Sequence, residues 1–297
     1  MERARRKVHM TITAEQVQAE ATVPRMLWLD LTRKCQLSCS HCYNESGPGG
    51  DHGTMTAEDW TRVLDQAAVY GVERIQLIGG EPTLHPAAMQ LVEHALGLGL
   101  QVEIYSNLVS ISASWWRVFQ REGVSLATSY YSDHAGQHNV LTGRPTHART
   151  RANIVRAVTR GISIRVGIVD TGDGQRVDEA RRDLEAIGVR SIRVDMARPF
   201  GRASGGQDPD PAGLCGRCGN GKAAVGPDGS VSPCTMSTWM RVGNVQDQAL
   251  PDILGGAAMA EATAAIGAVA HSDGCDPDDS DDECNPGFPG SECNPRN

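Results

Sequence analysis

Two hydrophobic periods alternate along the chain from Met26 to about Arg202. Short runs rich in aliphatic and β-branched residues stand at 26–32 (MLWLDLT), 74–80 (RIQLIGG), 101–107 (QVEIYSN), 124–132 (VSLATSYYS), 162–170 (ISIRVGIVD) and 190–197 (RSIRVDMA). Between them, residues 56–70, 85–97, 110–122, 146–160 and 175–187 carry apolar positions at helical spacing. Thr54 and Thr56 are candidate caps for the first helix, and Gly71, Gly99, Gly123, Gly161 and Gly188 stand where helices stop. Strands with helices between them predict a parallel sheet joined by right-handed crossovers, either open or curled into a partial barrel.

After Arg202 the pattern changes. Residues 201–213 (GRASGGQDPDPAG) read as a linker. Residues 222–235 read as a β-hairpin with Pro227-Asp228-Gly229 at its turn, and a helix is expected near 249–269. From Ser272 the chain is rich in Asp, Pro, Gly and Cys and lacks the apolar content for a core.

The 297 residues suffice for one large domain or two smaller ones. With three Phe, five Tyr and five Trp, the core must be mainly aliphatic. The net charge of −8 is uneven: residues 271–297 hold eight acidic residues and one Arg, so the body is near neutral. A nucleic-acid partner is disfavoured, because no basic surplus exists to neutralise phosphates. Arg3, Arg5, Arg6 and Lys7 read as a solvated arm. The apolar tract 257–270 is interrupted by Glu261 and is too short to span a membrane, and the N-terminus has no apolar stretch of signal-peptide type. A cytoplasmic protein is expected.

Nine cysteines in such a chain are a poor disulfide framework. They form three trios: Cys35/Cys39/Cys42, Cys215/Cys218/Cys234 and Cys275/Cys284/Cys293. The first follows the first strand directly, at the end where βα folds build their chemistry. Three thiolates suit a soft metal or an iron–sulfur cluster, and in a four-iron cube they leave one iron open. The competing readings are a helix that buries the i, i+4 and i+7 positions, and a zinc site with His41 as fourth ligand.

The spacing Cys35-x3-Cys39-x2-Cys42, with His41 before the third cysteine, resembles the signature of the radical S-adenosylmethionine enzymes. Gly79-Gly80-Glu81-Pro82, ending the second strand, and Ser106-Asn107, ending the third, fall in that family's order. The resemblance implies an α/β fold, a partial (β/α)6 TIM barrel over 26–205, after an N-terminal arm at 1–25 and before a small cysteine-rich hairpin and helix domain at 206–297. It implies a [4Fe–4S] cluster on Cys35, Cys39 and Cys42 whose open iron chelates S-adenosylmethionine. One electron then cleaves the sulfonium bond, and the 5′-deoxyadenosyl radical takes a substrate hydrogen atom. His41 and the backbone near Tyr43 would line the adenine side; Gly79, Gly80, Glu81 and Pro82 would meet the amino-acid end, Glu81 through the ammonium group. Ser106, Asn107 and Ser129 would meet the amino-acid or ribose end.

Cys215-x2-Cys218 with Cys218-x10-Gly229-x4-Cys234 around the hairpin resembles the opening half of the SPASM/twitch extension, which holds auxiliary [4Fe–4S] clusters. A zinc ribbon is the alternative on spacing alone. The tail departs from the full pattern, having only Cys275-x8-Cys284-x8-Cys293. One auxiliary cluster completed by a tail cysteine and two clusters of three thiolates each both remain open, as does a tail of idle thiols. Sulfatase-maturing relatives carry a catalytic Asp after the hairpin cysteine; here Thr235 stands there, which disfavours formylglycine formation. The resemblance implies a maturase that cross-links or otherwise alters a ribosomally made precursor peptide, fed by an external one-electron donor of flavodoxin or ferredoxin type. Recognition of the precursor would fall to a separate protein or to the catalytic domain. The alternatives are a small-molecule S-adenosylmethionine-dependent dehydrogenase or epimerase, and a metal-binding scaffold without activity. No catalytic acid or base is assigned: Tyr130, Tyr131, Asp133 and His134 follow the fourth strand, where loop polarity explains them equally well.

Overall fold

A computed structural model describes residues 25–172 and 174–269. Six strands run parallel in chain order: β1 (Met26–Asp30), β2 (Arg74–Ile78), β3 (Gln101–Tyr105), β4 (Val124–Tyr130), β5 (Ile164–Asp170) and β6 (Ser191–Met196). Helices α1 (Ala57–Tyr70), α2 (Ala88–Gly97), α3 (Ala113–Val118), α4 (Ala135–Thr142), α5 (His147–Thr159) and α6 (Val177–Ala186) lie in the crossovers. This is the mixed α/β arrangement expected, in the strand order that a partial (β/α)6 barrel uses.

Alternation along the strands divides the sheet's two faces. Leu27, Leu29, Ile75, Leu77, Val102, Ile104, Leu126, Val166 and Ile168 pack with the helices in one aliphatic core, which includes Trp60 and Leu64 of α1. The opposite face carries Met26, Trp28 and Ile78 on β1 and β2. Further along that face it carries polar groups: Glu103 accepts from Gln76 and takes a two-pronged ion pair from Arg165. Burying this charge is tolerable only because both partners are engaged.

The chain then returns to the first strand. Strand β7 (Lys222–Val225) pairs in parallel with β1, Met26 opposite Lys222, and β8 (Ser230–Ser232) and β9 (Gly243–Asn244) continue the same sheet antiparallel. Gly229 takes φ +76 at the hairpin turn, as a Pro-Asp-Gly turn requires. Pro227 at that turn accepts from the backbone N–H groups of Thr54 and Met55. Helices α7 (Leu250–Leu254) and α8 (Ala257–Val269) close the described chain.

Three expectations change. Helix α4 shows no apolar period; what holds it is its docking, since the Ser38 and Ser40 N–H groups donate to the Thr142 and Leu141 carbonyls at its end. The helix near 249–269 breaks at Gly255 and Gly256, so it is two helices. Leu250–Val269 is long and apolar enough by composition to cross a membrane. Its Leu250, Ile253, Leu254, Met259 and Ile266 are nonetheless buried in the protein's own clusters, which does not indicate a membrane protein. The stretch 201–213 is no open linker but two short turns, Gly201–Ser204 and Pro211–Gly213.

Helix α1 begins with a complete capping box: Thr56 accepts from the Asp59 N–H, and the Asp59 carboxylate accepts from the Thr56 N–H. Thr56→Ala is expected to cost about 1 kcal/mol in denaturant unfolding near neutral pH. Hydrogen bonds from Thr56 hold the Asp59 carboxyl down to about 2 from 3.8. A depressed carboxyl stabilises the fold fully above its unfolded-state value. Thr56→Ala keeps the backbone N–H and removes only the hydroxyl's share of this depression, so that share of the variant's deficit should be constant above about pH 4 and shrink as pH falls toward 2.

Candidate functional site

The loop after β1 is built on backbone hydrogen bonds. The Arg33 and Lys34 N–H groups donate to Asp51 O, Cys35 N–H to Gly47 O at 3.0 Å and Gly47 N–H to Arg33 O at 3.1 Å. The loop thus closes on itself and leaves Cys35, Cys39 and Cys42 on one wall of a cavity. It is no helix, which removes the reading of the three cysteines as one buried helical face.

Gly79 and Gly80 admit this loop. The Gly80 N–H donates to Thr32 O at 2.6 Å and the Glu81 N–H to Lys34 O at 2.9 Å. Gly79 has φ +136, and a Cβ on Gly80 would stand 2.3 Å from the Lys34 carbonyl oxygen. Their bare backbones therefore serve the approach of the cysteine loop as well as facing the cavity.

Glu81, Pro82 and Ser106 are buried behind the cavity wall rather than on it. One Glu81 carboxylate oxygen accepts from the Thr83 N–H and hydroxyl, and the other from the Asn107 N–H at 2.8 Å. Burial raises its pKa against these bonds. Glu81 thereby ties the end of β2 to the end of β3. Asn107 in turn accepts from Gln36 at 3.0 Å and directs its amide nitrogen to Cys35 Sγ at 3.7 Å.

The cavity holds about 1070 Å³ of space, counting solvent at its mouth, and is lined by the three cysteines, His41, Tyr43, Gly79, Gly80, Asn107 and Ser129. Burial, with Glu81 and Cys42 nearby, pushes the Cys35 thiol up to about 12; burial and the other two thiols do the same to Cys39. Without a metal these are neutral thiols, so loading a cluster must release protons. Burial lowers His41 to about 4, and its ring meets Tyr131 edge-on at 4.8 Å.

Tyr105, Tyr131, His138, Asp195 and Arg202 also line the cavity, although sequence reasoning assigned them no role. Tyr105 and Asp195 sit at inward positions near strand ends, a signal that alternation counted from those ends carries. His138 and Arg202 have no such signal, because tertiary docking alone brings α4 and residues 201–204 here. Tyr130 instead bonds His147 and Asp183 away from the cavity, and Asp133 pairs with Arg176.

The second trio converges as well. Hydrogen bonds to Cys215 and Cys234, then burial, raise the Cys218 thiol. Around them pack Met26, Trp28, Phe200, Leu214 and Met236. Cys275, Cys284 and Cys293 lie outside the described residues. Among the described residues no three His, Cys, Asp or Glu side chains converge on the space of one metal ion, which would need donors about 2.3 Å from a common point. Sulfur-only trios suit the wider spacing of an iron–sulfur cluster.

Residues 29–187 match the family model of the radical SAM superfamily, and residues 215–285 that of an iron–sulfur cluster-binding domain, SPASM. A PqqA peptide cyclase of Streptomyces rochei is 32% identical over 180 residues, 59% of this chain and 48% of that protein. An AdoMet-dependent heme synthase of Methanosarcina barkeri is 26% identical over 199 residues, 65% of this chain and 56% of that protein. The chain thus spans about half the length of these curated relatives. The structure of Streptococcus suis SuiB bound to precursor peptide SuiA superposes with a TM-score of 0.70 at 17% identity, covering 92% of this chain and 76% of that one. anSMEcpe with bound AdoMet gives 0.66 at 15% identity, covering 82% and 83%. At these identities the likeness is one of fold.

Gly80→Ala forces a methyl group against the Lys34 carbonyl and should lower stability by about 1–3 kcal/mol. Gly97→Ala, where nothing lies within 4 Å at the end of α2, should instead stabilise by up to about 1 kcal/mol. Denaturant midpoints of the two variants check the contrast.

Proposed function

The chain belongs to the radical SAM superfamily, and on that premise we propose that it reductively cleaves S-adenosylmethionine to modify a ribosomally made precursor peptide, by cross-linking or another alteration. The observation that carries this reading is a single cavity with one cysteine trio on its wall and Met236, two residues past a second trio, on its rim. When bound at the first trio, a [4Fe–4S] cluster with an open iron supplies the electron that breaks the sulfonium bond.

The chain's own residues hold and enclose. Cys35, Cys39 and Cys42 are the cluster ligands in this reading, and Asn107 donates toward Cys35. His41, Tyr43, Gly79, Gly80 and Ser129 form the wall for the nucleotide and its amino-acid end. The largely apolar lining excludes water from reactive species. Glu81 and Ser106 act through the loops they tie. The iron–sulfur centres and S-adenosylmethionine follow from the family; that at least one auxiliary centre is a [4Fe–4S] cluster held by Cys215, Cys218 and Cys234 is part of the proposal. A peptide substrate is supported by the cyclase relative and by the peptide held in the SuiB structure. An external one-electron donor of flavodoxin or ferredoxin type supplies the reducing equivalent, and free thiols at all six described cysteines fit a cytoplasmic setting.

Anaerobically reconstituted protein should release 5′-deoxyadenosine from S-adenosylmethionine and dithionite. Cys39→Ala should abolish that release, and persistent release would remove the site assignment. Cys234→Ala should keep uncoupled cleavage while losing modified product. Mass spectrometry of a co-expressed candidate precursor is the decisive measurement: a mass change that vanishes with Cys39→Ala supports the peptide reading. An unaltered peptide beside active cleavage of S-adenosylmethionine argues for a small-molecule substrate.

A further inference from the structure

The segment after β6 reads as a linker in the sequence, yet the structure straps it onto the first cysteine loop. Gly201 has φ +54, and a Cβ there would stand 2.4 Å from the carbonyl oxygens of both Cys42 and Tyr43. From this close approach Arg202 turns over the loop. Its backbone N–H donates to Cys42 O at 3.0 Å, its Nε to Cys39 O at 2.6 Å and its Nη2 to Ser46 O at 2.9 Å. The guanidinium thus forks between two carbonyls of one loop while bordering the cavity with the thiols. It is half-buried, and its charge acts on Cys39 and His41.

We propose that Arg202 is a positioning residue for the first cluster: its fork fixes the cysteine loop, and its charge raises the cluster's reduction potential. The inference rests on the reading of Cys35, Cys39 and Cys42 as ligands. On reduction one electron passes from the donor to the cluster, no bond forms or breaks in the protein, and the cluster becomes more negative by one charge. A fixed cation beside it, in a partly buried setting of low dielectric, stabilises that state. Arginine supplies both functions together, since its planar fork reaches two acceptors and it never loses its charge. Lysine keeps the charge and forfeits the fork; glutamine forfeits the charge.

The test is a redox titration of the anaerobically reconstituted full chain, followed by low-temperature EPR. The first cluster is identified by a signal that responds to added S-adenosylmethionine and disappears in Cys39→Ala. If the unaltered protein gives no such signal, it is the ligand reading that fails. With that signal present, Arg202→Gln should shift its midpoint to more negative potential. Arg202→Lys should stay closer to the unaltered midpoint while binding less iron. An unshifted midpoint in Arg202→Gln overturns the inference. So does loss of the first cluster from Arg202→Lys as complete as from Arg202→Gln, because loop contact alone would then account for the residue.

Discussion

Close contact between two backbones, the loop after β1 and the end of β2, is the constraint on which the site depends. Hydrogen bonds of 2.6 Å and 2.9 Å from Gly80 and Glu81 to the Thr32 and Lys34 carbonyls set the distance. Side chains at positions 79 and 80 would prevent it. Once the loop is seated, its inner turn exposes three thiols to the cavity, and α4, residues 201–204 and the hairpin turn all dock against the loop region. The carboxylate of Glu81 then passes the same constraint to β3 through the Asn107 N–H. Most of these contacts use backbone groups, so satisfying the loop's hydrogen bonds and assembling the site are one requirement.

Electrostatics in the cavity work against the thiolate form of its cysteines. The Cys35 and Cys39 thiols, both pushed up to about 12, are packed among apolar neighbours. Their charged form is disfavoured by burial, by Glu81 and by one another. In the proposed reading an iron cluster offsets the cost of ionising them, because it binds thiolate and spreads the charge over metal and sulfide. In the proposed reading, loading a cluster is thus coupled to loss of protons from these thiols, while the aliphatic helix-facing core is independent of it.

Much of this was legible in the chain before any coordinates. Strand positions were readable because each parallel strand is a short aliphatic run bounded by turn residues, and the helices because they turn one apolar face to the sheet. The first cysteine trio was legible because its spacing follows directly on a strand. Helix α4 escaped since its sequence, AGQHNVLT, has no apolar face; it buries His138 and Thr142 and is held from outside by the cysteine loop. Arg202 escaped because glycine and serine around it look like a linker, and only the missing Cβ of Gly201 reveals the close approach. The partners of Glu81 were not legible either: a carboxylate beside a ligand site suggests a ligand contact, and its buried oxygens accept from Thr83 and Asn107 across two strand ends. Local pattern reports what an element does by itself; these residues act across elements.

Buried polar side chains also meet in the region between the two cysteine trios. Asp30 Oδ2, the Tyr43 hydroxyl and Thr235 Oγ1 are all buried without a hydrogen bond of good geometry, although Asp30 is paired with Arg33 at 2.5 Å. Tyr43 follows Cys42, and Thr235 follows Cys234, so this under-satisfied cluster is attached to both trios at once. The Tyr43 hydroxyl and Thr235 face one another, and Asp30 faces Asn44 besides Arg33, so the cost of their burial is partly offset. The aliphatic core shows how readily this sequence fills space with Leu, Ile and Val, so apolar residues here would have been the more stable choice. Polar side chains are retained there instead, joining the loop of the first trio to the hairpin of the second.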